Sequence, residues 1–97
     1  MIKLKSNNLE EEIKEGKCLI DFFATWCGPC KMLMPILEEF DNDIKIIEVD
    51  IDKFPKLAQN YRIMAVPTLI FFKDGKKIKE NVGFIDKDDL KEIIDSL

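Results

Sequence analysis

The sequence centres on WCGPCK at positions 26–31, where Gly-Pro separates two cysteines. The motif follows the apolar run Leu19–Ala24 and opens a segment with helical period. A C-x-x-C pair where a strand leads into a helix is typical of reversible dithiol–disulfide chemistry. The spacing lets Cys27 and Cys30 bond across one helical turn. It also leaves Cys27 beside the unpaired N–H groups and positive dipole end of that helix, which favour a thiolate.

Composition narrows the class of protein. The chain has 97 residues, a net charge of −4, three cysteines and 46% apolar residues, and we expect one domain over residues 1–97. The acidic balance argues against nucleic acid or anionic membranes as partners. No apolar run approaches the roughly 18 residues of a membrane span, and the start of the chain turns polar too early for a secretory signal. We therefore expect a cytoplasmic monomer whose thiols are reduced and serve catalysis.

Hydrophobic periodicity predicts nine elements in the order β-α-β-α-β-α-β-β-α, an α/β layer sandwich. Asn8 is expected to cap the first helix and Gly16 to stop it, and Asp74-Gly75 is typical of a tight hairpin turn. The predicted strands are Ile2–Lys5, Leu19–Ala24, Ile44–Val49, Thr68–Lys73 and Lys77–Val82. The remaining predicted helices are Cys27–Phe40, Pro55–Tyr61 and one that starts at Asp86.

The sequence resembles the thioredoxin family from about Cys18 to Leu97. The residues that carry the resemblance are Asp21–Lys31, Pro35, Val66-Pro67-Thr68, Lys73-Asp74-Gly75 and Gly83. The resemblance implies a thioredoxin fold: a central mixed sheet of about five strands flanked by about four helices in three layers. It also implies that the dithiol protrudes at the end of a strand and reduces disulfides in other proteins.

The residues of the motif suggest a division of labour. Cys27 is the expected nucleophile because it is nearest the amides at the start of the helix, and Cys30 would resolve the mixed disulfide. Gly28 and Pro29 would hold the two sulfurs close, and Gly-Pro resembles the reducing members of the family. Pro67 matches the cis-proline that faces the active site in this family.

Asp21 is an unusual residue for an apolar strand. A buried carboxylate is costly unless it is paired, hydrated or protonated. By resemblance Asp21 lies beneath the cysteines and handles the proton of the resolving thiol, although it could instead be a satisfied polar residue or be exposed. Many bacterial members carry a lysine on the adjacent strand where this chain has Glu48. A glutamate there should raise the pKa of Asp21 further, or else turn to solvent.

The resemblance also implies an apolar surface for docking substrates. In this family role the backbone of Val66 pairs with the substrate chain like an added strand. The residues that map onto the surface are Trp26, Gly28, Pro29, Ile51, Ala65, Val66, Val82, Gly83 and Phe84. Cys18 lies three residues before Asp21 and should point to the opposite face of the sheet, where an inert buried thiol is favoured over a regulatory one.

Several alternatives stay open. A zinc site needs four ligands, and with three cysteines and no histidine it would need a second chain or carboxylates. Asp50 and Asp52 could suggest a metal loop, but a solvated strand end is favoured. The chain could also be an electron donor dedicated to one enzyme, or a binding scaffold. No bound cofactor is expected beyond the Cys27–Cys30 disulfide, and without a nucleotide or flavin motif the electrons must come from thioredoxin reductase or an equivalent donor.

Overall fold

The computed structural model describes all residues, 1–97. The elements are β1 Ile2–Lys3, α1 Leu9–Ile13, β2 Lys17–Phe23, α2 Gly28–Glu38, β3 Lys45–Asp50, α3 Pro55–Asn60, β4 Thr68–Lys73, β5 Lys76–Val82 and α4 Lys87–Ser96. Their order is the one predicted from the sequence. In most elements the predicted ends differ from the observed ends by one or two residues. The ends of helices and strands fray, and their positions depend on tertiary contacts.

The strands form one mixed sheet in the order β1-β3-β2-β4-β5. β1, β3 and β2 are parallel to one another, whereas β4 is antiparallel to both of its neighbours, β2 and β5. The parallel pair β2 and β3 is connected through α2, since parallel strands need a crossover connection. The chain therefore enters α2 directly from the carboxyl end of the middle strand.

Helices cover both faces of the sheet, because the central strands carry apolar side chains at both odd and even positions. On one face, Leu19 and Phe71 pack in a cluster with apolar residues of α2 and α4. On the other face, Ile20 and Phe22 pack with residues of α1 and α3. Burying each such side chain contributes about 1.5–3 kcal/mol. The result is the three-layer thioredoxin fold.

Local turn chemistry agrees with the sequence at the β4–β5 hairpin and differs at the start of α1. The β4–β5 hairpin turns through Asp74 and Gly75, whose φ angles of 50° and 81° are both positive, as this two-residue turn requires. Asn8 occupies the N-cap position of α1, but its side chain makes no capping hydrogen bond. The predicted side-chain cap of α1 is therefore wrong, and the helix is held by its buried residues Leu9 and Ile13.

Candidate active site

The two cysteines of the motif lie at the start of α2 and form a disulfide. Their Cα atoms are 5.3 Å apart. Cys27 is the N-cap of α2, and its Sγ accepts a hydrogen bond of 3.1 Å from the backbone N–H of Cys30. Pro29 lies in the first turn, where its missing N–H would have had no partner within the helix. The backbone N–H of Cys30 would stabilise negative charge on the Cys27 sulfur after reduction.

The disulfide is nearly buried. Cys27 is 4% exposed and Cys30 is 3% exposed, so the expectation of a protruding dithiol is wrong. Both cysteines pack in a small cluster with Ala24, and Phe23 and Val66 pack against it. A partner disulfide can therefore meet the Cys27 sulfur only when it is docked closely against the surrounding surface.

Asp21 is a buried carboxyl group without a partner. It is 1% exposed, and neither carboxylate oxygen has a hydrogen-bond partner within the chain. Along β2 it lies between Leu19, which packs with the α2 cluster, and Phe23, which packs against the disulfide cluster. Because alternate residues of a strand share a face, Asp21 lies on the α2 side of the sheet. Burial, with a smaller contribution from Glu48, raises the pKa of Asp21 to about 7.

Glu48 lies directly beside Asp21, since the two residues are register partners on the parallel strands β3 and β2. It is 4% exposed, so the alternative that it turns to solvent is wrong. Burial raises the pKa of Glu48, while Lys3 and the N-terminal ammonium group lower it. The repulsion that the sequence predicted between the two carboxylates is present, and it raises the pKa of Asp21.

The loop before β4 approaches the disulfide from the other side. The Val66–Pro67 peptide bond is cis, as the resemblance implied, and Pro67 is buried. The carbonyl of Pro67 accepts a hydrogen bond of 2.8 Å from the N–H of Gly83, and the Thr68 hydroxyl donates one of 2.7 Å to the carbonyl of Ala65. The N–H and carbonyl of Val66, between these two fixed points, make no backbone hydrogen bond.

An apolar surface adjoins the disulfide, and the structure brings four predicted docking residues together there. Trp26, Ile51, Ala65 and Val66 line a cavity of about 150 Å³. The other lining residues, Ile63 and Met64, were not assigned to the site from the sequence. Met64 is 93% exposed. This exposure is the one feature that distinguishes it from a methionine that fills a gap in a core.

The other predicted docking residues lie elsewhere around the disulfide. Gly28 and Pro29 are exposed in the first turn of α2. Val82 is the register partner of Thr68, so it and Gly83 lie beside Pro67. Phe84 lines a separate cavity between β5 and α4. It is therefore not contiguous with the apolar surface around Trp26.

Asp52 is a site residue that the sequence did not reveal. Its Oδ2 accepts a hydrogen bond of 2.9 Å from the indole Nε1 of Trp26, which orients the ring beside the disulfide. Asp50 is buried and accepts a hydrogen bond of 2.9 Å from the N–H of Asp52, so it is not at a solvated strand end as predicted. The only signal in the sequence was a carboxylate, Asp52, two residues beyond a buried strand. Its partner could not be inferred from that, because Trp26 is 26 residues away in the chain.

Cys18 is separate from this site. It belongs to the core cluster on the α1 and α3 face, opposite to Asp21, and it is fully buried. Its Sγ donates to the carbonyls of Glu12 and Glu15 at 3.5 and 3.7 Å, and burial raises the pKa of its thiol. The structure contains no group of three or more cysteine and acidic side chains arranged to hold a metal ion. None of its helices is long and apolar enough to cross a bilayer.

Comparison with known proteins agrees with this geometry. The thioredoxin family profile matches residues 1–96. Thioredoxin from Staphylococcus haemolyticus is 43% identical to this chain, over 98% of this chain and 95% of the relative, and that from Staphylococcus saprophyticus is 42% identical with the same coverage.

Solved structures give the same result. A mutant thioredoxin from Halobacterium salinarum superposes with a TM-score of 0.90 at 36% identity, covering 98% of this chain and 88% of the other. The oxidised form of mitochondrial thioredoxin 3 from Saccharomyces cerevisiae superposes with a TM-score of 0.88 at 34% identity, covering 100% and 95%. The chain therefore belongs to the thioredoxin family and is a protein-disulfide reductase whose redox centre is the Cys27–Cys30 pair.

Proposed function

We propose that Cys27 is the attacking sulfur, that Cys30 resolves the mixed disulfide and that Asp21 takes the proton of Cys30. The observation that carries the first assignment is the position of Cys27 as N-cap of α2, where its Sγ accepts the N–H of Cys30. The positive end of the helix and this hydrogen bond both favour negative charge on Cys27 rather than on Cys30.

In the first step, the Cys27 thiolate attacks one sulfur of a partner disulfide. A bond forms between Cys27 and that sulfur, the partner's S–S bond breaks, and the other partner sulfur leaves as a thiolate. The Cys27 site is nearly buried, so the partner's chain must lie against the apolar surface around Trp26 before the sulfurs meet.

In the second step, Cys30 gives its proton to the Asp21 carboxylate and attacks the Sγ of Cys27. The bond from Cys27 to the partner breaks, the partner leaves as a dithiol after it takes up protons, and the Cys27–Cys30 disulfide forms. The partner gains two electrons and this chain loses two. A carboxyl group with a pKa of about 7 suits this transfer, because it is neither fully protonated nor fully ionised near neutral pH.

Substrate binding is proposed to use the backbone of Val66. Its free N–H and carbonyl lie beside the disulfide cluster and can pair with an extended segment of the partner, like an added strand. The cavity lined by Trp26, Ile51 and Met64 would then receive an apolar side chain of that segment. Val82 at the end of β5 and Gly83 after it lie beside Thr68 and Pro67, the two residues that follow Val66.

The electron supply and setting of the protein are also proposals. Re-reduction of the Cys27–Cys30 disulfide falls to thioredoxin reductase or an equivalent donor, and disulfide-containing proteins are the substrates. We propose that residues 1–97 act as one domain, as a monomer, in the cytoplasm. A match to the family over almost the whole chain supports the single domain, and the buried unpaired Cys18 suits a reducing compartment.

Substitution of each cysteine in turn tests the roles. We expect Cys27→Ser to abolish catalysis of insulin reduction by dithiothreitol. We expect Cys30→Ser to trap a mixed disulfide that non-reducing electrophoresis detects. Cys18→Ser is the matched control, because Cys18 lies on the opposite face, and it should retain activity. Trapping by Cys27→Ser in place of Cys30→Ser would reverse the two roles. Assays with an NADPH-dependent flavoprotein and with a ferredoxin-dependent reductase would identify the electron donor.

A further inference from the structure

A row of ionisable side chains crosses one face of the sheet from its edge to its centre. Lys3 on β1 is the register partner of Glu48 on β3, and Glu48 is the register partner of Asp21 on β2. The neighbouring pair, Ile20 and Ile47, packs in the cluster on the opposite face. Because side chains alternate along strands, the three ionisable residues share the face covered by α2.

The environment changes sharply along this row. Lys3 is exposed, Glu48 is 4% exposed and Asp21 is 1% exposed with both oxygens unpaired. A cavity of about 140 Å³ is lined by Lys3 and Glu48 but not by Asp21. This volume holds water, which needs only about 10–15 Å³ per molecule. Glu48 therefore borders a water-sized cavity that Lys3 also lines, whereas Asp21 does not line this cavity.

We propose that Glu48 is a positioning residue for disulfide reduction, and that its carboxylate beside Asp21 sets the pH range in which Asp21 accepts the proton of Cys30. The proposal rests on the proton-transfer role proposed above for Asp21. Glu48 itself exchanges no electrons and forms no bond in the reaction. The proton moves from the Cys30 sulfur to Asp21 and later to water, and the departing partner sulfur takes a proton from water.

Some of the other charged groups around the row favour the ionised form of Glu48, and others oppose it. Lys3 and the N-terminal ammonium group stabilise the Glu48 carboxylate, whereas Glu38 of α2 and Asp41 after it repel that charge. Asp50 and Lys53 line the same cavity, with opposite charges. From β4 the neighbour of Asp21 is the uncharged Leu69, so Glu48 is the one carboxylate in register with Asp21.

The first test measures the titration of Asp21 directly, by carbon NMR of its carboxyl group in the oxidised protein. Glu48→Gln keeps the size of the side chain and removes its charge, and it should lower the midpoint of Asp21 by about 1 pH unit. Glu38→Gln is the matched control, because it removes an exposed carboxylate that faces Glu48 but lies outside the row. It should move the midpoint much less. An unchanged midpoint in Glu48→Gln would overturn the proposal.

Lys3→Gln gives an independent test that does not disturb the core, since Lys3 is exposed. Removing the cation that stabilises the Glu48 carboxylate should raise the titration midpoint of Glu48, which the same carbon NMR experiment measures. A fall, or no change, would contradict the row of coupled charges.

The second test follows the resolving step. An aromatic disulfide with a coloured thiolate product releases one thiolate on attack by Cys27 and a second on resolution by Cys30. In Glu48→Gln the pH profile of the second release should shift to lower pH, with about a fivefold faster rate at pH 6 for a shift of about one unit. A shift confined to the first release would contradict the proposal.

Asp21→Asn separates this proposal from the one on which it rests. If the pH transition of the resolving step disappears in Asp21→Asn and is unmoved in Glu48→Gln, Asp21 has its proposed role and Glu48 does not. If Asp21→Asn leaves the transition in place, both proposals fail. The effect of Glu48→Gln should vanish in the Asp21→Asn background, because a positioning residue acts only through its partner.

Discussion

Replacement of the buried carboxyl of Asp21 by an amide should change how the stability of the oxidised protein depends on pH. Asp21 has an ordinary pKa of 3.8 in the unfolded chain, and burial raises it to about 7 in the folded protein. Between these values the folded state binds more protons than the unfolded state. The free energy of unfolding must therefore fall as pH rises through this window and level off above it.

The size of this effect follows from the two pKa values. Each tenfold difference in proton affinity corresponds to about 1.4 kcal/mol, so Asp21 lowers the stability by about 4 kcal/mol between pH 4 and pH 8. Solvent screening does not reduce this figure appreciably, because Asp21 is 1% exposed. Asp21→Asn removes the titration. The variant should gain about 4 kcal/mol relative to the parent protein over this pH range.

Guanidinium unfolding followed by circular dichroism, at several pH values from 4 to 8, measures this difference. The comparison of two pH profiles cancels the constant cost of burying an amide, and it also cancels the titration of distant groups. Parallel profiles for the parent protein and Asp21→Asn would refute the reasoning, since they would mean that Asp21 has the same pKa in both states. Asp88→Asn, an exposed carboxylate in the first turn of α4, is a suitable control.

Two further predictions concern residues outside the active site. Cys18→Ala should lower the free energy of unfolding by about 1 kcal/mol, because it leaves a small cavity in the core, while the rate of insulin reduction stays at the parent level. A tenfold loss of that rate would give Cys18 a functional role. Asp86→Ala should cost about 1 kcal/mol in chemical denaturation, because Asp86 Oδ1 accepts the N–H of Asp89 at 2.9 Å as the N-cap of α4. A stability equal to that of the parent protein would show that this cap is not needed.

The sequence predicted the features that depend on local chemistry. The motif at residues 26–31 predicted the disulfide at the start of α2, and Asp74-Gly75 predicted the hairpin turn. Alternation along β2 predicted that Cys18 and Asp21 face opposite sides of the sheet. Each of these patterns spans only a few residues, so the physical constraint is visible in the sequence.

Features that depend on long-range contacts were predicted less well. The near burial of the disulfide, the Asp52–Trp26 hydrogen bond and the exposure of Met64 could not be obtained from the order of residues. Asn8 has the residue type of an N-cap, but the backbone around it does not bring its side chain to the helix N–H groups. Local preference was overruled there by packing of the apolar face of α1.

The sequence by itself determined the reaction: two cysteines at C-x-x-C spacing, before a helix and after an apolar strand, make a dithiol that cycles with a disulfide. Only the tertiary structure decided the surroundings of that dithiol. Strand register brings Lys3, Glu48 and Asp21 into one row, although they lie far apart in the chain. The physical reason is that the pKa of a buried carboxyl depends on its solvation and on neighbouring charges, and folding determines both.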